Sequence, residues 1–459
     1  MDLPTSIDAA GEELRTGGTT CVQLTRAALE RIEALQPRLN AFLTVTADAA
    51  LAQAARLDRE LRSGTDRGPL HGIPFACKDC LDTAGVRTTV GSRYFADRVP
   101  ASDAVAVARL AAAGAVMVGK TNMNEFAAGT SGKNAIYGDV RNPWALDHSP
   151  GGSSSGAAAA VASGMALAAV GTDAGGSIRV PAACTGIVGI RPSFGRVPVA
   201  GSFPRSFSFD VVGPLARCVR DCSLLLRAMA PAEDYAAGLE AGIAGLRLGV
   251  LRGLSAMGVD REVEQAVAAA VDQLRALGAQ ASEVDVPGVS DPLAHGALLE
   301  IMLFEFNRIL GEAFRACRNP DEVFGPVVCA NIRRGMEISA PSYRKALAAR
   351  ADQAAALRAV FAQVDALVTP VLPMLTPRLD APAPLFDRQR QFMIPFSSAG
   401  LPAISIPCGA APQGLPIGMQ VVGDRLQEGL LFRVARAYES TTEWHTMPWR
   451  FTSERGGEA

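Results

Sequence analysis

Histidine is scarce, with only His71, His148, His295 and His445 in 459 residues. That scarcity works against a histidine-rich metal centre. It also works against a Ser–acid–His triad, for which only His295 or His445 would be available downstream. Cysteine is not rare, but its nine copies are odd in number and scattered. Cys77 and Cys80 form a single CxxC with no second pair, so free packing thiols in a reducing compartment are expected rather than a zinc site or a disulfide frame. No sign of charge dominates: the net charge is −2 with acids and bases interspersed. A basic face for nucleic acid or an anionic membrane is therefore not expected. Long apolar runs are missing too. The longest, Ala157–Gly171, is broken by Ser163 and Gly164 and is too short to span a bilayer. The first residues, MDLPTSIDAAGEEL, lack the basic and apolar regions of a secretion signal. The expectation is a soluble cytoplasmic protein. No internal repeat is visible.

What the chain does have is a hydrophobic fraction of 49%, enough for a large core, and one unusual glycine–serine block at Ser149–Arg196. Its first cluster is Gly151-Gly-Ser-Ser-Ser-Gly156 and its second Gly171-Thr-Asp-Ala-Gly-Gly-Ser177. An Ala-rich helical segment and a small-residue apolar run suited to a buried strand separate them. Glycines this dense permit left-handed backbone angles and bring main-chain N–H groups close to a ligand. A flexible linker would share the composition but would not alternate with blocks that require burial.

The rest of the chain alternates helices and strands. Leu24, Ala28, Ile32 and Leu35 share a helical face that Pro37 is expected to stop. A second helix is expected over Ala49–Arg62, with Asp48 as its cap. Ile73–Asp79 reads as a short strand, on which Lys78 by itself reads as a solvated tip. Val105–Ala113 reads as a helix and Ala115–Gly119 as a buried strand. That strand makes Gly114–Thr121 a false match to the phosphate-binding loop, because the residues between its glycines are themselves strand-like. Gly152–Gly156 matches GxSxG around Ser154, but the residues before it, Arg141–Pro150, are loop chemistry rather than the strand a nucleophile elbow needs.

Further helices are expected at Leu215–Met229, Glu262–Leu277 and Gln427–Tyr438. Further strands are expected at Leu246–Leu251, Ala281–Val286, Val364–Thr369, Ala403–Pro407 and Ile417–Val422, with a mainly helical lobe at 290–363 inserted between strands. The fold class is mixed α/β, a central β-sheet covered on both faces by helices. One domain over 1–459 is expected, with an N-terminal helical segment at 1–65 and a core at 66–230.

Three segments together resemble the amidase signature family: GIPFACKD at Gly72–Asp79, SPGGSSSG at Ser149–Gly156 and GTDAGGSIRVPA at Gly171–Ala182. GKTNMNEFA at Gly119–Ala127 and the pair GLPAISIPCG and GLPIGMQVVG within Gly400–Gly423 extend the resemblance over nearly the whole chain. It implies the amidase signature fold and a Ser–cis-Ser–Lys triad of Ser177 as nucleophile, Ser153 as bridging serine and Lys78 as base. Ser154 and Ser155 are expected to bond locally or to cap the helix that follows. The main-chain N–H groups of Ala174, Gly175, Gly176 and Ser177 would form an oxyanion hole. Asp173 and Arg179 would hold that loop, the plainer reading being an ordinary solvated pair. By the same analogy Phe126, Gly129, Thr130, Phe203 and Phe207 would line the substrate pocket, although aromatic residues at such spacings are also ordinary core.

The resemblance implies hydrolysis of a C–N amide bond of a small molecule through an acyl-enzyme, with no metal or organic cofactor. Carbamates, ureas and esters are accessible to the same machinery. The family also contains the A-type chain of glutamyl-tRNA(Gln) amidotransferase, which generates ammonia from glutamine. Three departures point away from that chain: Arg333–Tyr343 lacks a tyrosine-rich stretch, Asn124 stands where an acid is usual, and Arg191 replaces the more usual lysine. A stand-alone amidase is the expectation, and a homodimer is the assembly expected from base frequency. A binding protein that kept the scaffold is the alternative from another class.

Overall fold

The structure, a computed structural model, describes residues 3–289 and 291–446. Residue 290, where the predicted lobe begins, and both ends of the expected domain, 1–2 and 447–459, lie outside the described residues. Eleven strands form one sheet: β1 (Phe42–Val45), β2 (Pro74–Lys78), β3 (Val116–Thr121), β4 (Ala168–Asp173), β5 (Val188–Arg191), β6 (Val211–Ala216), β7 (Arg247–Leu251), β8 (Gln280–Val284), β9 (Ala366–Pro370), β10 (Ala403–Ala410) and β11 (Pro416–Gly423). Their order across the sheet is β1-β3-β2-β4-β6-β5-β10-β11-β9-β7-β8.

The sheet is mixed. β2 runs parallel to β3 and β4, and β7 runs parallel to β8 and β9. The other pairs are antiparallel. Side chains alternate between two helical layers, as strand geometry requires. Phe75, Cys77, Ala168 and Val170 enter one core, while Ala76 and Ala169 enter the other. The second core is filled by Ala28 and Ile32 of the helix Cys21–Leu39 and by the helix Ser155–Ala162. Every residue of Ser155–Ala162 is buried, which is where a helix apolar all round belongs. A Cβ on its Gly156 would come within 2.2 Å of the Ala41 carbonyl oxygen, so only glycine permits this approach.

The anticipated lobe lies between β8 and β9 as three long helices, Pro292–Ala316, Pro326–Glu337 and Ala340–Val360. It meets the glycine–serine block where Leu298, Ile301 and Met302 pack with Ala174.

Several boundaries differ from expectation. The helix Cys21–Leu39 runs through Pro37 and ends at Asn40, whose φ is 50°. Proline costs only one bond so near a terminus. The helix after β1 begins at Ala47, with Thr46 rather than Asp48 at the cap position. The single helix expected at Leu215–Met229 is two elements, β6 and the helix Val219–Met229. Pro214 masked the strand, since proline normally argues against a central one.

Candidate active site

Lys78 ends β2, and the parallel register opposes Cys77 to Val170 of β4. The carboxyl ends of the two strands therefore lie side by side, the usual place for a site in an α/β sheet. Lys78 is not a solvated tip: it is 0% exposed. Its amine lies 2.8 Å from Ser153 Oγ, 2.8 Å from Thr172 Oγ1 and 3.4 Å from the Thr172 carbonyl oxygen. Burial lowers its pKa, against an opposing effect from Cys80, Asp173 and Asp210. Among the described residues no carboxylate is hydrogen-bonded to the amine; its partners are two hydroxyls and a carbonyl oxygen. Cys80 Sγ sits 3.6 Å from Thr172 Oγ1. Cys77 and Cys80 are both free and buried.

Ser153 follows a cis peptide from Gly152. The double glycine before it is explained by crowding. A Cβ on Gly151 would stand 2.7 Å from Pro181 Cα, and one on Gly152 would stand 2.1 Å from Asn124 Oδ1. Asn124 accepts the Gly132 N–H at 3.1 Å and donates to Ser131 Oγ at 3.2 Å, and the Ser149 hydroxyl joins the serine loop to that segment through the Ser131 carbonyl at 2.7 Å. Contrary to expectation, Ser154 neither bonds locally nor caps the helix with its side chain, the partners of its hydroxyl and N–H lying in the segment that carries Ser177. Its hydroxyl donates to the Thr172 carbonyl at 3.2 Å, and its N–H donates to the Ser177 carbonyl at 3.2 Å. Ser155 Oγ is buried without a partner.

The loop carrying Ser177 is held by Asp173. Its carboxylate accepts the Gly176 N–H at 2.7 Å and the Ile178 N–H at 3.2 Å. It also pairs with Arg179 at 3.1 Å and Arg191 at 3.2 Å, all three side chains being fully buried. Burial alone would raise its pKa, but the two guanidiniums hold the carboxyl well below the usual carboxylate range. Arg179 reaches on to Ser397 Oγ at 2.7 Å and Gln420 Oε1 at 3.2 Å. Asp173 and Arg179 are thus part of a buried network, not a solvated pair. The Gly176 N–H, expected among the oxyanion donors, is committed to Asp173. The groups of Ala174, Gly175 and Ser177 are the remaining ones in that set.

Ala174, Gly175 and Ser177 line a cavity of ≈ 470 Å³, together with Gly129 and Thr130. The aromatic expectations fail there. Phe126 and Phe203 pack against each other at 5.3 Å and against Phe95, in a cluster that does not line the cavity. Phe207 is 54% exposed. Residues the sequence reading did not single out do reach the cavity, among them Met302, Arg205 and Arg390. Arg205 lies between Phe203 and Phe207, the two phenylalanines expected at the pocket; nothing local marks Arg390. Lys120, the lysine of the false phosphate-loop match, is buried in β3, where it donates to Thr88 Oγ1 at 2.8 Å and lies 3.9 Å from Asp79. Among the described residues no three His, Cys, Asp or Glu side chains converge on a metal position. No helix of those residues is long and apolar enough to cross a membrane.

A helix-covered mixed sheet gathers two glycine–serine loops around a buried amine, and the family match and relatives that follow make the chain a carbon–nitrogen hydrolase or amidotransferase. The chain belongs to the amidase family, whose model matches residues 23–432. It is 41% identical to the A-type chain of glutamyl-tRNA(Gln) amidotransferase from Roseiflexus sp. (strain RS-1), over 96% of this chain and 97% of that one. Among solved structures it is similar to the peptide amidase from Stenotrophomonas maltophilia, with 33% identity, a TM-score of 0.85 and coverage of 97% and 98% of the two chains. A chain from a vestigial protein complex, described as revealing the evolutionary origins of an s-triazine catabolic enzyme, superposes with a TM-score of 0.90 at 31% identity, covering 95% of this chain and 98% of that one.

Proposed function

We propose that the protein is a stand-alone amidase working through a Ser177 acyl-enzyme, with Ser153 as proton relay and Lys78 as base. The observation that carries this reading is the fully buried Lys78 amine, 2.8 Å from Ser153 Oγ. A neutral amine has two N–H donors and one lone pair. It donates to the two Thr172 oxygens and accepts the Ser153 hydroxyl proton. Ser153, its own proton drawn toward Lys78, takes the proton of Ser177 as the Ser177 oxygen bonds to the amide carbon. The oxyanion formed faces the free N–H groups of Ala174, Gly175 and Ser177, each such donor being worth about 2.7–4 kcal/mol in the transition state. The carbon–nitrogen bond then breaks. The relay returns the proton to the departing ammonia or amine, and water cleaves the Ser177 ester by the same route in reverse.

Ser177→Ala tests this. Amide turnover should fall by at least about four orders of magnitude while the fold persists, and a fluorophosphonate should label the parent chain at Ser177 only. Full turnover in the alanine variant would end the proposal, and a folded chain that takes no label would favour a binding-only protein. The 41% identity to an amidotransferase chain favours a second reading, ammonia release from glutamine within a complex. A glutaminase assay with a pull-down for partner chains separates the two.

A further inference from the structure

The cavity above Ser177 is lined by four cationic residues, Lys133, Arg205, Arg334 and Arg390. Two of its acids are already engaged. Glu125 accepts the Ser92 hydroxyl at 2.6 Å and the Gly325 N–H at 2.7 Å, and burial pushes its carboxyl toward the neutral form. Asp139 accepts the Asn134 N–H at 3.0 Å. Lys133 lies over the Phe386 ring and Arg334 is exposed, which leaves Arg205 and Arg390 as the cations of the interior, Arg390 beside the third lining acid, Asp387.

Arg205 is 6% exposed. It is placed by a bond to the Met302 carbonyl at 3.3 Å and by the Phe306 ring, 4.0 Å below its guanidinium. Burial brings its pKa down to about 10, with Asp210 opposing and Arg390 reinforcing the effect; it is a cation at neutral pH. Arg390 lies close enough to be felt by it. One Arg390 nitrogen pairs with Asp387 at 2.5 Å, but its Nε–H is buried without a partner among the described residues. The Arg390 main chain is fixed, because its carbonyl accepts the Met393 and Ile394 N–H groups at 2.9 and 3.1 Å.

Two guanidiniums that share a cavity repel one another, and a buried donor without an acceptor is costly. An anion between them removes both penalties. We propose that Arg390 and Arg205 bind a carboxylate of the substrate, so that the amide cleaved is a small one bearing an acid group, such as the half-amide of a dicarboxylic acid. A planar carboxylate accepts two parallel N–H bonds from a guanidinium, and a cavity of ≈ 470 Å³ suits a short chain. This rests on the amidase reading above and names its substrate class.

The full-length protein is assayed on succinamate and glutaramate against butyramide and valeramide. The acid amides should be preferred in kcat/KM by about 10–100-fold, the worth of a charge-assisted bond. In R390Q that preference should collapse through KM, and R390K should restore part of it. Equal kcat/KM for acid and neutral amides in the parent chain, or a preference unchanged in R390Q, overturns the proposal. Calorimetry on the Ser177→Ala chain keeps the two readings apart. Succinamate that binds there and loses affinity when R390Q is added supports the carboxylate site even if no amide is hydrolysed. Succinamate that binds no better than butyramide overturns the site even in an active amidase.

Discussion

Replacing Lys78 by methionine keeps most of the side-chain volume and removes the amine, and the structure fixes what should follow. The lysine is fully buried among two hydroxyls and a carbonyl oxygen, and burial lowers its pKa. In the unfolded chain the same amine titrates near 10.4. Between the folded value and about 10.4 the unfolded state holds the extra proton, so stability rises with pH across that window and levels off above it. Every tenfold change in proton affinity corresponds to about 1.4 kcal/mol. Against this, methionine loses the two 2.8 Å contacts, a cost of about 1–3 kcal/mol in total, whereas the neutral amine gives up the proton that the unfolded chain holds at pH 7, a cost of up to about 4–5 kcal/mol. Lys78→Met should therefore be as stable as the parent at pH 7, or more stable by about 1–3 kcal/mol. The advantage should shrink as the pH approaches 10. Turnover should drop by about 10²–10⁴-fold or more, and parent kcat/KM should rise with pH through the folded pKa of Lys78. Urea unfolding at pH 7, 8.5 and 10, beside kcat/KM, tests both halves. A variant that is less stable by the same amount at every pH would refute the claim that this amine is held neutral. Activity within tenfold of the parent would remove it from proton transfer.

Asp173→Asn leaves two buried guanidiniums uncompensated and should cost about 3–5 kcal/mol in urea unfolding, with a matching loss of activity. Because the folded carboxyl is held below its ordinary range, the parent's advantage should be present above about pH 4 and fade as the pH falls further; a gap confined to alkaline pH would contradict it. Asp221 accepts the Ile7 N–H at 3.1 Å, and burial pushes its carboxyl up to about 7. The stability this gives is complete below about pH 4, the unfolded value, and is lost as the pH rises toward 7. Asp221→Asn should therefore match the parent near pH 4 and exceed it at pH 8 by up to about 4 kcal/mol, as read from unfolding midpoints; a variant less stable at pH 8 would overturn this.

The strand–helix alternation was legible wherever a segment carried several periods of one pattern, as at β7, β10, β11 and the helix Arg261–Ala276. Four-residue strands such as β1 and β5 carry too few residues to show a period. The glycine–serine loops could be placed because glycine is demanded by contacts at 2.1–2.7 Å, and such demands leave a dense local signature. The burial of Lys78 was not legible in its own strand, since its partners Ser153 and Thr172 come from 75 and 94 residues away. The pocket wall was the least legible part. Phe126 and Phe203 turned into an aromatic core because a ring packs as well against rings as against a ligand. Arg390 sits in a turn whose neighbours give no hint of the cavity it reaches.

The inserted helices and the Arg390 turn reach the cavity from segments that contribute neither Lys78 nor the two serines. Under the proposed mechanism labour is divided along the polypeptide: one stretch would perform bond cleavage while others would choose the guest. Shuffling the latter between relatives offers an engineer new specificities without disturbing the proton traffic beneath.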